Sequence, residues 1–366
     1  MEINRVAVIG AGTMGSDVSL LFALSGYEVV VNDIFEKALS QMELKYRRNI
    51  EELQKVGVTK YSFEEVWERV FRTTKLEDVR DVDFVLEAVN EELNLKRTVF
   101  RKLEDILPNT VFATNTSSLR VTEVAGGMRK PERLGGMHFS NPPILMPLVE
   151  VVKGDYTSEE TVKLIEKLAE KIGKTPVVLK KDMRGFVLNR ILTAAGAEGL
   201  WAIQRGEVTA EELDTALKSM GFPVGLVEAI DLIGVDILVN VGRNFREAYG
   251  DRFSLPIDLL EKMIEEGRLG KKTGKGFYDW TSGVPKIEVE SSKTYDVTKM
   301  VATATNEAFW IISDEIADPE TIDKVTKLGM MSPVGLCELA DTLGLDILAS
   351  SLNEMYRKHK LELYKL

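Results

Sequence analysis
Short apolar, β-branched runs alternate with longer polar stretches through the first half of the chain. Residues 4–9, Asn-Arg-Val-Ala-Val-Ile, have the pattern of a buried parallel strand. Gly10-Ala11-Gly12-Thr13-Met14-Gly15 follows, then a helical stretch to about Leu24 and a second strand over 28–33, which is the spacing of a βαβ unit. A polar, helix-forming segment covers about 36–70, with Gly57 as a break. Further strands are predicted at 82–87 and 110–114 with a helix between them, and at 134–139, 148–152 and 176–179 with a helix near 158–171. This alternation predicts an α/β, Rossmann-type doubly wound domain over residues 1–182.

After Asp182 helical periodicity takes over. Pro223-Val-Gly-Leu-Val-Glu-Ala-Ile-Asp231-Leu-Ile-Gly-Val-Asp236 is echoed 110 residues later by Pro333-Val-Gly-Leu-Cys-Glu-Leu-Ala-Asp341-Thr-Leu-Gly-Leu-Asp346. Two copies are too few for a solenoid, so the expectation is two tandem copies of an all-α domain, over 183–285 and 295–366. The second is degenerate. Gly270–Gly276 and a polar stretch near 281–297 separate them.

Length and composition narrow the class. A chain of 366 residues exceeds what one core usually serves, which fits this division. A net charge of −11 argues against non-specific nucleic-acid binding, though a local cationic cluster can still hold an anionic substrate. No apolar run approaches the roughly 20 residues that span a bilayer, and Met1 stands too close to the first strand for a signal peptide. The lone Cys337 excludes an internal disulfide framework and a cysteine-rich metal site. A cytoplasmic protein without a metal centre is expected.

The glycine motif follows a strand, opens a helix, and has Asp33 at the end of the next strand. That context is what a dinucleotide fingerprint requires. The glycines let backbone approach a pyrophosphate seated on the positive end of the helix. The Asp33 carboxylate can accept from the ribose hydroxyls of NAD and would repel the 2′-phosphate of NADP. No Arg stands at 34 or 35 to reverse that preference.

The chain has two histidines. His359 lies in a charged tail. His138 ends a strand and enters Phe139-Ser-Asn-Pro-Pro143, at the strand ends where such sheets bind ligands. An imidazole suits the base that alcohol oxidation needs near neutral pH. By composition alone a structural role for His138 is equally open. Glu150, inside the apolar run Leu-Val-Glu-Val-Val, is a carboxylate that needs a partner, and an imidazole is a reasonable one.

Together these residues resemble the L-3-hydroxyacyl-CoA dehydrogenase family, over nearly the whole chain. Gly10–Gly15 with Asp33 resembles its cofactor fingerprint. Glu87-Ala-Val-Asn-Glu91 with Lys96 resembles its E-A-V-x-E segment and downstream lysine, and Asn115-Thr-Ser-Ser118 its N-T-S-S loop. His138-Phe-Ser-Asn-Pro142 is similar to H-F-F-N-P, Gly185-Phe-Val-Leu-Asn-Arg190 to G-F-x-x-N-R, and Gly270-Lys-Lys-Thr-Gly-Lys-Gly-Phe-Tyr278 to the late G-K-K-T-G-x-G-F-Y.

The resemblance implies NAD-dependent oxidation of a 3-hydroxyacyl-CoA thioester. His138 would be the acid/base, oriented by Glu150, which would also stabilise the imidazolium. Ser117 and Asn189 would hydrogen-bond the reacting oxygens of the substrate. Glu91, Lys96, Asn115 and Lys272 would line the cofactor and the thioester end, beside Gly10, Ala11, Gly12, Thr13, Met14, Gly15 and Asp33. On pattern alone, Lys96 reads as a solvated helix residue and Lys272 as an exposed loop charge.

Two positions depart from the family. Ser140 replaces the second Phe of H-F-F-N-P, and Thr114 stands where Ser is usual. Both put substrate fit in more doubt than activity. The second helical copy lacks the Asn-Arg element, which implies an architectural role. In related single-copy enzymes the helical domain makes the dimer contact, so either a homodimer or an intramolecular pseudo-dimer of the two copies is open. A family relative acting on a free hydroxy acid or sugar acid is the alternative function.

Overall fold
The computed structural model describes residues 3–285 and 295–366. The expected polar separator near 281–297 lies partly outside the described residues. The chain divides between Phe186 and Val187 into a sheet-based unit and a helical unit. The division falls a few residues beyond the expected Asp182, because Met183 and Phe186 are buried in the first unit.

The first unit runs β1 (Arg5–Ile9), α1 (Thr13–Leu24), β2 (Glu28–Asn32), α2 (Glu36–Lys55), α3 (Phe63–Trp67), β3 (Val70–Thr73), β4 (Phe84–Glu87) and α4 (Leu93–Ile106). It continues through β5 (Val111–Thr114), α5 (Val121–Ala125), β6 (Leu134–Phe139), β7 (Leu148–Val152), α6 (Glu159–Lys171) and β8 (Thr175–Leu179). The eight strands form one sheet ordered β3-β2-β1-β4-β5-β6-β7-β8. The order reverses between β1 and β4, the crevice where open parallel sheets bind ligands. Every residue of β4, β6 and β7 is buried, so these strands read as unbroken apolar runs rather than as alternation.

Two features differ from expectation. The segment read as helix-forming to about residue 70 contains α2 and α3 but ends in the edge strand β3, paired parallel to β2. Only Thr73 of its four residues is buried, so the strand carries almost no apolar signal. Secondly, β7 runs antiparallel to β6. The connection over 140–147 is too short for a helical crossover, so a hairpin is what the chain can make there.

The helical unit contains α7 (Leu188–Gln204), α8 (Ala210–Ser219), α9 (Leu226–Ile233), α10 (Val235–Tyr249), α11 (Ile257–Glu265), α12 (Thr298–Ser313), α13 (Pro319–Met330), α14 (Leu336–Leu343) and α15 (Leu345–His359). α7 and α12 are buried over most of their length and pack along each other. Arg190 of α7 and Glu307 of α12 form a buried ion pair, Nε to Oε1 at 2.6 Å. Asp231 of α9 organises the glycine-rich motif at 270–278: it accepts from the N–H groups of Phe277 (2.9 Å) and Tyr278 (2.8 Å) and from the indole of Trp280 (2.9 Å). A Cβ on Gly276 would sit 2.0 Å from Asp231 Oδ1, which is why the motif needs glycine there. Among the described residues no helix is long and apolar enough to cross a membrane.

Candidate active site
The glycine loop leaves β1 at the point of strand reversal. Gly10 has φ +103°, and a Cβ there would lie 2.5 Å from the carbonyl oxygen of Ala88. A Cβ on Gly15 would meet the Gly10 carbonyl, so α1 can pack this close to the strand only with glycine. Gly12 is different: a Cβ there would have open space around it. It caps α1, whose first turn, opened by Thr13, Met14 and Gly15, carries no acidic residue. The positive helix end is therefore exposed beside an open backbone approach, which suits a pyrophosphate. At the end of β2, Asp33 accepts from the N–H groups of Ala11 (Oδ2, 2.7 Å) and Phe35 (Oδ1, 2.9 Å). Each carboxylate oxygen keeps a lone pair for a ribose hydroxyl. These residues fit NAD, and the neighbours Ile34 and Phe35 offer no cation for a 2′-phosphate.

The candidate acid/base pair sits on the hairpin that joins β6 and β7. The register places His138 directly opposite Glu150 across β6 and β7, and Nδ1 lies 2.9 Å from Oε2. Both side chains are buried. The pairing leaves Nε2 as the ring atom available for proton transfer. Phe186, in a left-handed backbone conformation with φ +49°, sets its ring 5.3 Å from the imidazole centroid. Sequence reasoning misses this residue. The signal lies in Gly185-Phe186, since the adjacent glycine also has positive φ (+76°).

Beside the hairpin, the loops after β4 and β5 are tied together by Glu91. Its Oε1 accepts from the N–H groups of Ser117 and Ser118 (each 2.7 Å) and from the Thr116 hydroxyl (2.6 Å). Burial works against the charged form of this side chain, which is 31% exposed, but the Lys96 ammonium and these hydrogen bonds outweigh it and lower the carboxyl to about 2. Lys96 is no solvated helix residue. It is 1% exposed, with Nζ 2.7 Å from Glu87 Oε1 and 3.2 Å from Glu91 Oε2. Burial alone would depress the lysine, but the two carboxylates outweigh it and keep the ammonium protonated. Glu87 also accepts from the Thr114 hydroxyl at 2.7 Å, a partnership that sequence reasoning misses. It shows the same signal as Glu150, a lone carboxylate in an apolar strand, here at the strand's end. Asn115 Oδ1 accepts the Phe139 N–H at 3.0 Å and so ties the β5 loop to the residue beside His138. Ser140 is 7% exposed, and its hydroxyl has no hydrogen-bond partner among the described residues.

The sheet unit thus carries the glycine loop, Asp33, Glu91, Asn115, Ser117 and His138 at or just beyond the ends of β1, β2, β4, β5 and β6, with Lys96 on α4 and Glu150 within β7. Asn189 and Lys272 belong to the helical unit. Asn189 lies in the first turn of α7. Lys272 lies on an exposed turn, ion-paired with Asp236. Among the described residues no cluster of His, Cys, Asp or Glu could hold a metal ion.

The chain is similar to known proteins. The family model for the 3-hydroxyacyl-CoA dehydrogenase NAD binding domain matches residues 5–183, and that for the 3-hydroxyacyl-CoA dehydrogenase C-terminal domain matches 185–280 and 295–365. A probable 3-hydroxybutyryl-CoA dehydrogenase of Deinococcus radiodurans is 37% identical over 75% of this chain and 100% of that protein. The fatty acid oxidation complex subunit alpha of Vibrio campbellii is 32% identical over 98% of this chain and 53% of that protein. The crystal structure of 3-hydroxybutyryl-CoA dehydrogenase from Escherichia coli superposes with a TM-score of 0.88 at 25% identity, covering 100% of this chain and 97% of the other. With both of its units matched by the family models, the chain belongs to the 3-hydroxyacyl-CoA dehydrogenase family.

Proposed function
We propose that this protein oxidises the 3-hydroxyl of an acyl-CoA thioester to the 3-oxo form with NAD. The observation that carries the reading is the His138–Glu150 pair, 2.9 Å apart on the sheet that also presents the glycine loop and Asp33. Nε2 of His138 takes the hydroxyl proton as the C3 hydride leaves, and returns a proton to the oxygen in the reverse direction. The glycine loop and Asp33 would hold NAD, which when bound would supply the hydride acceptor. Glu150, fixed on Nδ1, holds the ring in one tautomer and stabilises the imidazolium. Ser117 and Asn189 bind the reacting oxygens and align C3, in the roles that family membership supports. The Glu91–Lys96 brace holds the Ser117 turn, and the cofactor-side assignments of Glu91, Lys96, Asn115 and Lys272 rest on the family motif.

We infer further that the helical unit is two tandem copies of one module. α9 and α14, and α10 and α15, have equal lengths and are displaced by 110 residues. Gly234 and Gly344 join them with positive φ in both. Asp214 accepts from the amides that open α9, and Asp323 from those that open α14. The buried Arg190–Glu307 pair between the two copies supports an intramolecular pseudo-dimer, for which sedimentation at one chain mass is the test. A cytoplasmic location fits the single thiol, Cys337, which burial pushes up to about 12.

The deciding experiment follows NADH consumption with acetoacetyl-CoA, beside free acetoacetate and with NADPH as control. Turnover of the thioester with NADH preferred supports the reading. Reaction of the free acid alone moves the substrate to a hydroxy acid or sugar acid. No reaction with either substrate, despite NADH binding, overturns the catalytic reading.

A further inference from the structure
The hairpin that carries His138 and Glu150 turns through Ser140-Asn141-Pro142-Pro143-Ile144-Leu145-Met146-Pro147. Three of these eight residues are proline and donate no N–H, so the turn cannot satisfy all of its own carbonyls. The carbonyls of Pro143 and Met146 accept instead from the ammonium of Lys174, at 2.5 and 3.0 Å. Lys174 immediately precedes β8, and the next residue, Thr175, donates its N–H to the Pro147 carbonyl at 2.8 Å.

Lys174 is 9% exposed. Among the described residues its ammonium has no carboxylate partner, only these two carbonyls. Burial lowers it to about 8. A buried ammonium without a counter-ion is an expensive way to fill space, because a methionine of similar shape would pack there without desolvating a charge. What the charge adds is two charge-assisted bonds, stronger than neutral ones, that tie a turn rich in proline to the start of β8. The turn begins two residues after His138 and ends three before Glu150.

We propose that Lys174 is a positioning residue for hydride transfer, clamping the turn so that the His138–Glu150 pair is held in reactive geometry. The inference rests on His138 being the base, and the test separates the two. Lys174→Met should lower kcat for acetoacetyl-CoA reduction about tenfold to a hundredfold, the scale of an ångström-level misplacement, with KM for NADH within about twofold. The pyrophosphate of NADH would be held at the β1–α1 loop, whereas this turn joins β6 and β7. Lys174→Gln, with fewer donors, should fall between Lys174→Met and Lys174→Arg, which keeps the charge and restores most of the rate. Should Lys174→Met fail to fold, the other two decide: a higher kcat for Arg than for Gln at constant NADH KM supports the clamp. Equal kcat values, or a kcat loss matched by lost NADH affinity, overturn it. His138→Gln measured alongside guards the premise. If that variant keeps its rate, the base is misassigned; if it is inactive while Lys174→Met is fully active, the clamp alone is wrong.

Discussion

His138 and Glu150 face each other across one antiparallel pair of the sheet, Nδ1 to Oε2 at 2.9 Å, and neither has appreciable contact with solvent. Replacing the ring by an amide removes the proton acceptor without touching the glycine loop. His138→Gln should therefore lower kcat by about two to four orders of magnitude, with NADH affinity unchanged. Steady-state rates beside a fluorescence titration of NADH check both halves.

Glu150→Gln separates activity from stability. The amide keeps the shape but not the charge, so the imidazolium loses its counter-ion and kcat should fall about tenfold or more. Burying an amide is easier than burying a carboxylate, so the melting temperature should hold or rise. A melting temperature that drops in step with activity would assign Glu150 to the fold alone.

Lys96→Met leaves Glu87 buried without its cation. The expected loss is about 3–5 kcal/mol in a denaturant titration, the usual scale for breaking a buried pair from one side. Adding Glu87→Gln, which removes the charge, can keep the amide oxygen on the Val89 N–H and turn its –NH2 to the Thr114 hydroxyl oxygen, and should recover most of it.

Asp33→Asn keeps an acceptor for the Ala11 N–H but removes the charge that a 2′-phosphate would meet. The preference for NADH over NADPH, taken as the ratio of kcat/KM values, should fall about tenfold, the equivalent of roughly 1.4 kcal/mol of relieved repulsion.

Lys174 also carries a pH signature. Its folded-state value lies near 8 against 10.5 for the ordinary side chain. Between those values the unfolded chain holds a proton that the folded chain has shed, so this residue's contribution to stability rises with pH. The melting-temperature difference between the wild type and Lys174→Met should shift in favour of the wild type from about pH 8 to about pH 10. A pH-independent difference would contradict the depressed value.

Much of this is legible in the sequence because the signals are local. A glycine loop between strand and helix, a histidine ending an apolar strand and a carboxylate within another each stand out in a window of a few residues. β3 is not legible, because an edge strand with one buried residue has no apolar pattern. Lys96 looks solvated because its own helix is polar; what buries it is Glu87, nine residues back and on a different element. The antiparallel turn of β7 can be inferred only from the length of the connection, and Lys174 gives no sign that its partners are carbonyls of the preceding hairpin.

The direct opposition of His138 and Glu150 has a consequence for how the chain finds its fold. A hairpin slipped by two residues would keep every side chain on its proper face, so the apolar pattern alone would not reject it. One slip would set His138 against Leu148 and Glu150 against Gly136; the other would set His138 against Val152 and Glu150 against Ser140, so the carboxylate would face no cation in either. Either slipped form would be penalised by burying a carboxylate without its imidazole partner, with no donor from Gly136 and at most one hydroxyl from Ser140. The pair proposed to carry the chemistry thereby also favours one strand alignment, so that selection for catalysis and for a unique sheet would act on the same two residues.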